Sequence, residues 1–191
     1  MEYQALLNEL GDTKLVAVSK TKPAETVRTL YDKGQRMFGE NKVQEMLEKQ
    51  SILPADIEWH MIGHLQTNKV KYIAPFVAMI ESVDSLKLLF EIEKQAERNN
   101  RTIDVLLQMH IAQEETKFGL NAKELIEILE YYTAPQKPLH HISIRGLMGM
   151  ATLTDDEQVI RNEFRTLRNH FTLVKESYLP GDKSFTEMSM G

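Results

Sequence analysis

Short apolar runs alternate along this chain with longer stretches whose apolar residues recur at helical spacing. Leu15-Val16-Ala17-Val18 is an unbroken, largely β-branched tetrad, which suits a strand covered on both faces. Comparable runs predict strands over 15–19, 36–39, 58–62, 77–80, 103–111, 142–146 and 184–188. Between them the periodicity predicts helices over 23–33, 42–50, 67–73, 85–99, 122–132 and 155–177. In the first of these, Val27, Leu30 and Tyr31 share a face, and Gly34 stands where a C-terminal cap is needed. In the last, Ile160, Phe164, Leu167, Phe171 and Val174 step by four and three, and Thr154 with Glu157 reads as a capping box. Strands alternating with helices, and buried on both faces, make a parallel sheet. Seven or so such units without a G-x-G-x-x-G after the first strand predict an α/β fold of the (β/α)8 TIM-barrel type, not an open doubly wound sheet.

The chain has 191 residues, 42% hydrophobic and 27% charged, enough for one substantial core. One barrel domain spanning 1–191 is therefore expected. No apolar run approaches the roughly 20 residues of a membrane span, and the first eight residues lack a signal-peptide core. A soluble cytoplasmic protein is expected. The absence of cysteine excludes disulfides, thiolate metal sites and a cysteine nucleophile. A net charge of −5 with no basic block argues against nucleic acid as a partner and leaves small-molecule binding favoured.

Barrel chemistry belongs at the carboxyl ends of the strands. Lys20 ends the first strand, three residues before Pro23 opens a helix; partial desolvation there lowers a lysine's pKa, and the free amine is a nucleophile toward an aldehyde. The plainer reading is that Lys20 and Lys22 are solvated turn lysines. Phe38-Gly39-Glu40-Asn41-Lys42 follows strand two, Ile62 to Lys69 follows strand three, Glu114 to Gly119 follows strand five, and Gly146-Leu147-Met148 follows strand six. Taken alone, each is ordinary loop chemistry, with Asn41 as a helix N-cap. His60 and His64 are four apart, but the first is on a strand predicted to end before Gly63, so they do not share a helix face, and His140 and His141 are adjacent, so no metal site is expected. His110 reads as a strand-end histidine held by a neighbouring hydrogen bond, and the ten methionines as core filler and pocket wall.

Taken in order, these clusters resemble the pyridoxal phosphate homeostasis protein family over essentially the whole chain. The matching motifs are AVSKTKP at 17–23, FGEN with VQE at 38–45, WHMIGHLQTNK at 59–69, SVDS at 82–85, ETKFG at 115–119, RGLM at 145–148 and EMSMG at 187–191. The resemblance implies a single (β/α)8 barrel like the N-terminal domain of alanine racemases, with pyridoxal 5'-phosphate held as an internal aldimine on the lysine of AVSK, which is Lys20. It places Asn41 and Met148 in the cofactor pocket, Ser189 and Gly191 on the phosphate, and leaves Glu40 and Gln44 to fix the loop. Lys22 and Lys117 are secondary lysines through which an aldehyde is relayed. The sequence departs from the family at Gln108-Met109-His110, where relatives carry an asparagine, and after Gly191, where relatives continue through an eighth strand and much of the phosphate cup. The last strand is accordingly expected to be missing from the chain as given, supplied by an omitted or mobile tail, because an unclosed barrel leaves strand edges unpaired.

Three functions follow for weighing. The resemblance implies a carrier, without strong catalytic activity, that serves intracellular homeostasis of the cofactor and delivers it to apo-enzymes, as a monomer or weak dimer. An amino-acid racemase is the alternative; it needs a second acid or base that alanine racemases draw from a further domain. The third, a class I aldolase using Lys20 without cofactor, predicts a colourless protein.

Overall fold

A computed structural model describes residues 3–114, 118–136 and 139–191. Helix α1 (Tyr3–Leu10) leads into β1 (Ala17–Val18), α2 (Ala24–Asp32), β2 (Met37–Glu40), α3 (Val43–Gln50) and β3 (Glu58–Met61). A 3-10 turn (Thr67–Lys69) then runs into α4 (Val70–Ile73), followed by β4 (Met79–Val83), α5 (Leu86–Arg98), β5 (Ile103–Met109), α6 (Ala122–Thr133), β6 (Ile142–Gly149), α7 (Glu157–Leu173), a π-helical turn (Val174–Tyr178) and β7 (Glu187–Ser189).

Every strand pairs in parallel with its neighbour in sequence, giving one seven-stranded sheet in the order β1 to β7. The sheet curls until its ends approach: Lys14, just before β1, meets Glu187 of β7 at 2.6 Å. β1 and β7 are not paired with each other, so the described residues form a seven-stranded half-barrel, in keeping with the expectation that the last strand is missing. Its outer face carries the apolar core. Phe38, Trp59, Met61, Val105, Leu107 and Ile144 from the strands pack against Val27, Met46, Ile73, Leu89, Ile92, Ile128 and Leu167 from the helices.

Several expected boundaries move. β1 is only two residues long and Val18 is 48% exposed, because an edge strand of an open sheet is covered on its helix side alone. β4 begins two residues later than predicted, β5 stops at Met109, and β6 continues to Gly149. β7 falls at 187–189 instead of 184–188, since Phe185 is used as a buried plug stacked on Phe171 at 4.7 Å. Helix α7 starts from Asp156, whose side chain accepts from the amides of Gln158 and Val159, while Thr154 Oγ1 accepts from Asp156 N–H. Thr154 therefore delivers the cap instead of being it, and the Thr154–Glu157 capping box does not form. Gly34 does end α2 as expected, at φ +102°.

The β6–β7 junction depends on one missing methyl group. A Cβ on Gly146 would stand 1.7 Å from the carbonyl oxygen of Glu187, in a ladder where Gly146 pairs with Glu187. Gly146→Ala is expected to destabilise the protein by about 1–3 kcal/mol and to free β7, as overpacking against backbone does. Thermal melting and new tryptic cleavage at Lys183 measure it; an unchanged melt with no new cleavage contradicts the reading.

Candidate functional site at the carboxyl end of the half-barrel

Alternation along the strands sends every second side chain inward. The concave face so formed encloses a cavity of about 820 Å³ lined by residues from β1 through β7, including Val16, Val18, His60, Ile62, Ser189 and Gly191. Gly39 sits on this face without a side chain because a Cβ there would meet Ile62 at 2.8 Å and Val16 at 3.2 Å. Deeper in the cavity the lining is charged. His60 Nδ1 lies 2.7 Å from Glu81, and Arg145 Nε 3.6 Å from Asp104, too far for a hydrogen bond; that nitrogen is buried without one among the described residues. His60 thus faces the barrel interior, while His64 stands at the rim, 2.9 Å from Asp84 and stacked on Phe118 at 3.8 Å.

Lys20 follows β1 directly. Val16 and Val18 line the interior cavity, Ser19 turns outward against Glu40, and Lys20 follows it in the turn beyond the strand. It is exposed, contrary to the partial desolvation expected, because the edge strand leaves nothing over it, and its amine has no hydrogen bond or ion pair among the described residues. Lys22, also exposed, lies inside the turn, its amide donating to Ser19 at 3.0 Å. Lys117 lies outside the described residues.

The turn that carries Lys20 is held from behind. Ser19, 4% exposed, donates its hydroxyl to Glu40 Oε1 at 2.6 Å and accepts from Lys49 Nζ at its carbonyl oxygen at 2.7 Å. Lys49 also bonds Glu40 Oε1 at 2.5 Å, and Glu45 accepts from the amide of Thr21 at 2.8 Å. Glu40, expected to fix the loop that carries Asn41, is a fully buried carboxylate bonded instead to Ser19 and Lys49. Gln44 instead bonds Glu48 on the exposed side of α3. Glu45 and Lys49 were missed by sequence reasoning; the only signal was a charged triplet, residues 40, 45 and 49, spaced to face one way from the end of β2 and one side of α3.

Asn41 is not the N-cap of α3: that position is Lys42, which makes no capping bond. Asn41 is held against Gly63, where a Cβ would lie 2.5 Å from its carbonyl oxygen, and lines a second cavity of about 480 Å³ with Lys42, His64 and Lys69. Met148 is buried and pairs with Ser189, which lines the interior cavity, and Gly191 follows at φ +86° against Met150. The interior cavity therefore gathers Ser189 and Gly191, with Lys20 two residues beyond its lining residue Val18, while Asn41 opens onto the neighbouring cavity and Met148 lines neither. His110 is held as expected, with Nε2 at 2.9 Å from the carbonyl oxygen of Glu114.

Two interior carboxylates titrate in opposite directions. Burial raises the pKa of Asp104, with further repulsion from Glu187, against the opposing charges of Arg145 and His60. Burial also raises that of Glu187, but its hydrogen bond and charge contact with Lys14 outweigh this and leave it lowered. A raised carboxylate stabilises the fold at acid pH and loses that contribution as pH rises through its folded pKa; a lowered one contributes above the ordinary range and loses it as pH falls. Relative to the parent, Asp104→Asn is expected to gain stability between about pH 3.5 and 7, and Glu187→Gln to lose it, each by under about 1 kcal/mol after solvent screening. Urea unfolding at both pH values tests this, and equal pH slopes in parent and variants refute it.

The chain matches the family model described as alanine racemase, N-terminal domain, over residues 2–189. It is 38% identical over 179 residues to the pyridoxal phosphate homeostasis protein of Aquifex aeolicus, covering 93% of this chain and 75% of that one. It is 39% identical over 189 residues to the protein of the same name from Homo sapiens, covering 93% and 67%. Among solved structures, PipY of Synechococcus elongatus superposes with a TM-score of 0.88 without PLP and 0.86 with PLP bound, at 32% identity over 98% of this chain and 86% of PipY. The chain belongs to the alanine racemase N-terminal domain family and, within it, to the pyridoxal phosphate homeostasis proteins.

Proposed function

We propose that this chain binds pyridoxal 5'-phosphate through Lys20 and serves in its homeostasis inside the cell, holding and passing on the cofactor without strong catalysis of its own. The observation that carries the reading is the amine of Lys20, exposed and unpartnered among the described residues, just past the carboxyl end of β1 and two residues beyond Val18 of the interior cavity's lining, in a fold shared with a PLP-bound relative. The residues present fit the group. Lys20 offers an amine with no competing partner among the described residues, and Ser189 and the left-handed Gly191, both in the lining of the interior cavity, offer a hydroxyl and a backbone amide for an anion, with Met148 paired to Ser189 and Asn41 on the neighbouring cavity. A cavity of about 820 Å³ lies within the range of small-molecule sites.

The bound cofactor supplies an aldehyde carbon. Lys20, in its neutral form, is the amine that would hold the cofactor through that carbon. Because Lys20 stands in solvent, water also has access there, which suits holding and release better than turnover. Lys22 and Lys117 are the further lysines through which the aldehyde passes on its way to apo-enzymes. The gap between β1 and β7 is the place of the eighth strand of a complete (β/α)8 barrel, here one domain acting as a monomer or weak dimer in the cytoplasm. Among the described residues no helix is long and apolar enough to cross a membrane.

Lys20→Ala is expected to abolish the borohydride-reducible adduct and its absorbance while shifting stability by under about 0.5 kcal/mol, since the side chain is exposed. Peptide mapping after reduction locates the modified lysine. An adduct retained on Lys22 or Lys117 moves the assignment, and no adduct in the parent rejects it.

A further inference from the structure

We propose that Glu45 and Lys49 are positioning residues for Lys20, clamping the backbone on both sides of it from behind the sheet. The inference rests on the reading that Lys20 carries the cofactor, and it concerns how a lysine on a minimal edge strand is aimed.

β1 pairs over two residues, and on one flank only. Past Val18 the ladder adds a single bond, Ser19 N–H to Gly39 at 2.9 Å. Thr21 then turns at φ +61°, a left-handed conformation that a β-branched residue adopts only where its surroundings hold it. The holding groups are charged side chains. Glu45 accepts from Thr21 N–H on the far side of Lys20, while Lys49 donates to Ser19 O on the near side. Lys49 joins the two, bonding Glu40 and lying 3.8 Å from Glu45, so one ammonium links both anchors.

The side chain of Lys49 is 8% exposed and that of Glu40 fully buried, whereas Lys20, between the anchors, has no partner among the described residues. The direction of its side chain therefore depends on the backbone those charges hold. Burying an ion pair strips both partners of water, and an apolar pair of similar size packs at least as well, so adhesion of α3 to the sheet does not call for this arrangement. Fixing a backbone carbonyl and an amide does, because only polar groups bind them. Lys49 lies on the helix side of the sheet, bonded to Ser19 and Glu40, and so acts through the turn without touching the ligand.

The test compares rates of reducible adduct formation at Lys20 with pyridoxal 5'-phosphate in the parent, Glu45→Ala, Glu45→Gln and the charge-neutral pair Glu40→Gln with Lys49→Met. Glu45→Ala is expected to slow the reaction at Lys20 about tenfold, as loss of orientation does, and to raise the share of adduct on Lys22. Glu45→Gln, which keeps an acceptor for Thr21 N–H, is expected to restore the rate to within about twofold of the parent. The neutral pair is expected to slow it as Glu45→Ala does while still melting cooperatively, because no buried charge is left unpaired. Hydrogen exchange at the Thr21 amide should quicken in Glu45→Ala and not in Glu45→Gln. A parent rate in Glu45→Ala, or in the neutral pair, overturns the positioning role and leaves the cofactor reading standing; a parent that forms no adduct on Lys20 overturns both.

Discussion

Because each strand pairs only with its neighbours in sequence, every crossover must return over the outside of the sheet, and the carboxyl ends of all seven strands gather at one end. Right-handed parallel crossovers leave helices on one face, so that face takes the apolar core and the other is left concave. Lys20, Asn41, Met148 and Ser189 lie far apart in sequence, yet all stand at or just beyond the carboxyl ends of β1, β2, β6 and β7. In-order pairing is what brings them to the same end of the molecule, before any interaction among them is considered.

The two faces of the sheet are stabilised differently. Outside, residues such as Phe38, Trp59, Val105 and Ile144 are almost fully buried and contribute by removal from water. Inside, the deep lining is charged, and its pairs vary in quality: His60 with Glu81 at 2.7 Å and Lys14 with Glu187 at 2.6 Å are close, while Arg145 with Asp104 at 3.6 Å leaves a buried nitrogen unsatisfied among the described residues. The Lys14–Glu187 pair spans the gap between β1 and β7, and its lysine is 62% exposed, so it guides the approach of the two edges more than it holds them.

Periodicity made the strand–helix order legible because alternation in burial follows directly from the sheet, and Gly34, His110 and the turn after Lys20 were readable for the same local reasons. What escaped the sequence was set by tertiary contacts. The tetrad at 15–18 has the composition of a doubly buried strand, but burial depends on neighbours, and an edge strand has them on one side. Thr154 and Glu157 have the spacing of a capping box; a turn through Thr154 passes the role to Asp156. Phe185 falls within an apolar run of strand type, yet it stacks on Phe171 and leaves the sheet to the residues after it. Lys49 lies on α3 in a stretch of mixed charges, and nothing local distinguishes it from the exposed Lys42; only the chain crossing at Ser19 makes it a buried donor.

Site and support are thus divided across the sheet. A lysine buried deeply enough to be rigid would need its own partners, and those partners would compete with an aldehyde for its nitrogen. In the reading proposed above the reacting amine is the exposed one of Lys20, and rigidity is supplied through the backbone by charges on the helix side of the sheet, where Ser19 O and Thr21 N–H are the handles. The same division accounts for the short β1: with the turn anchored by side chains of β2 and α3, the strand need extend no further than the two residues that pair with Phe38 and Gly39. An exposed amine on a fixed base can take up a carbonyl compound and give it back, which a fully enclosed site does less readily.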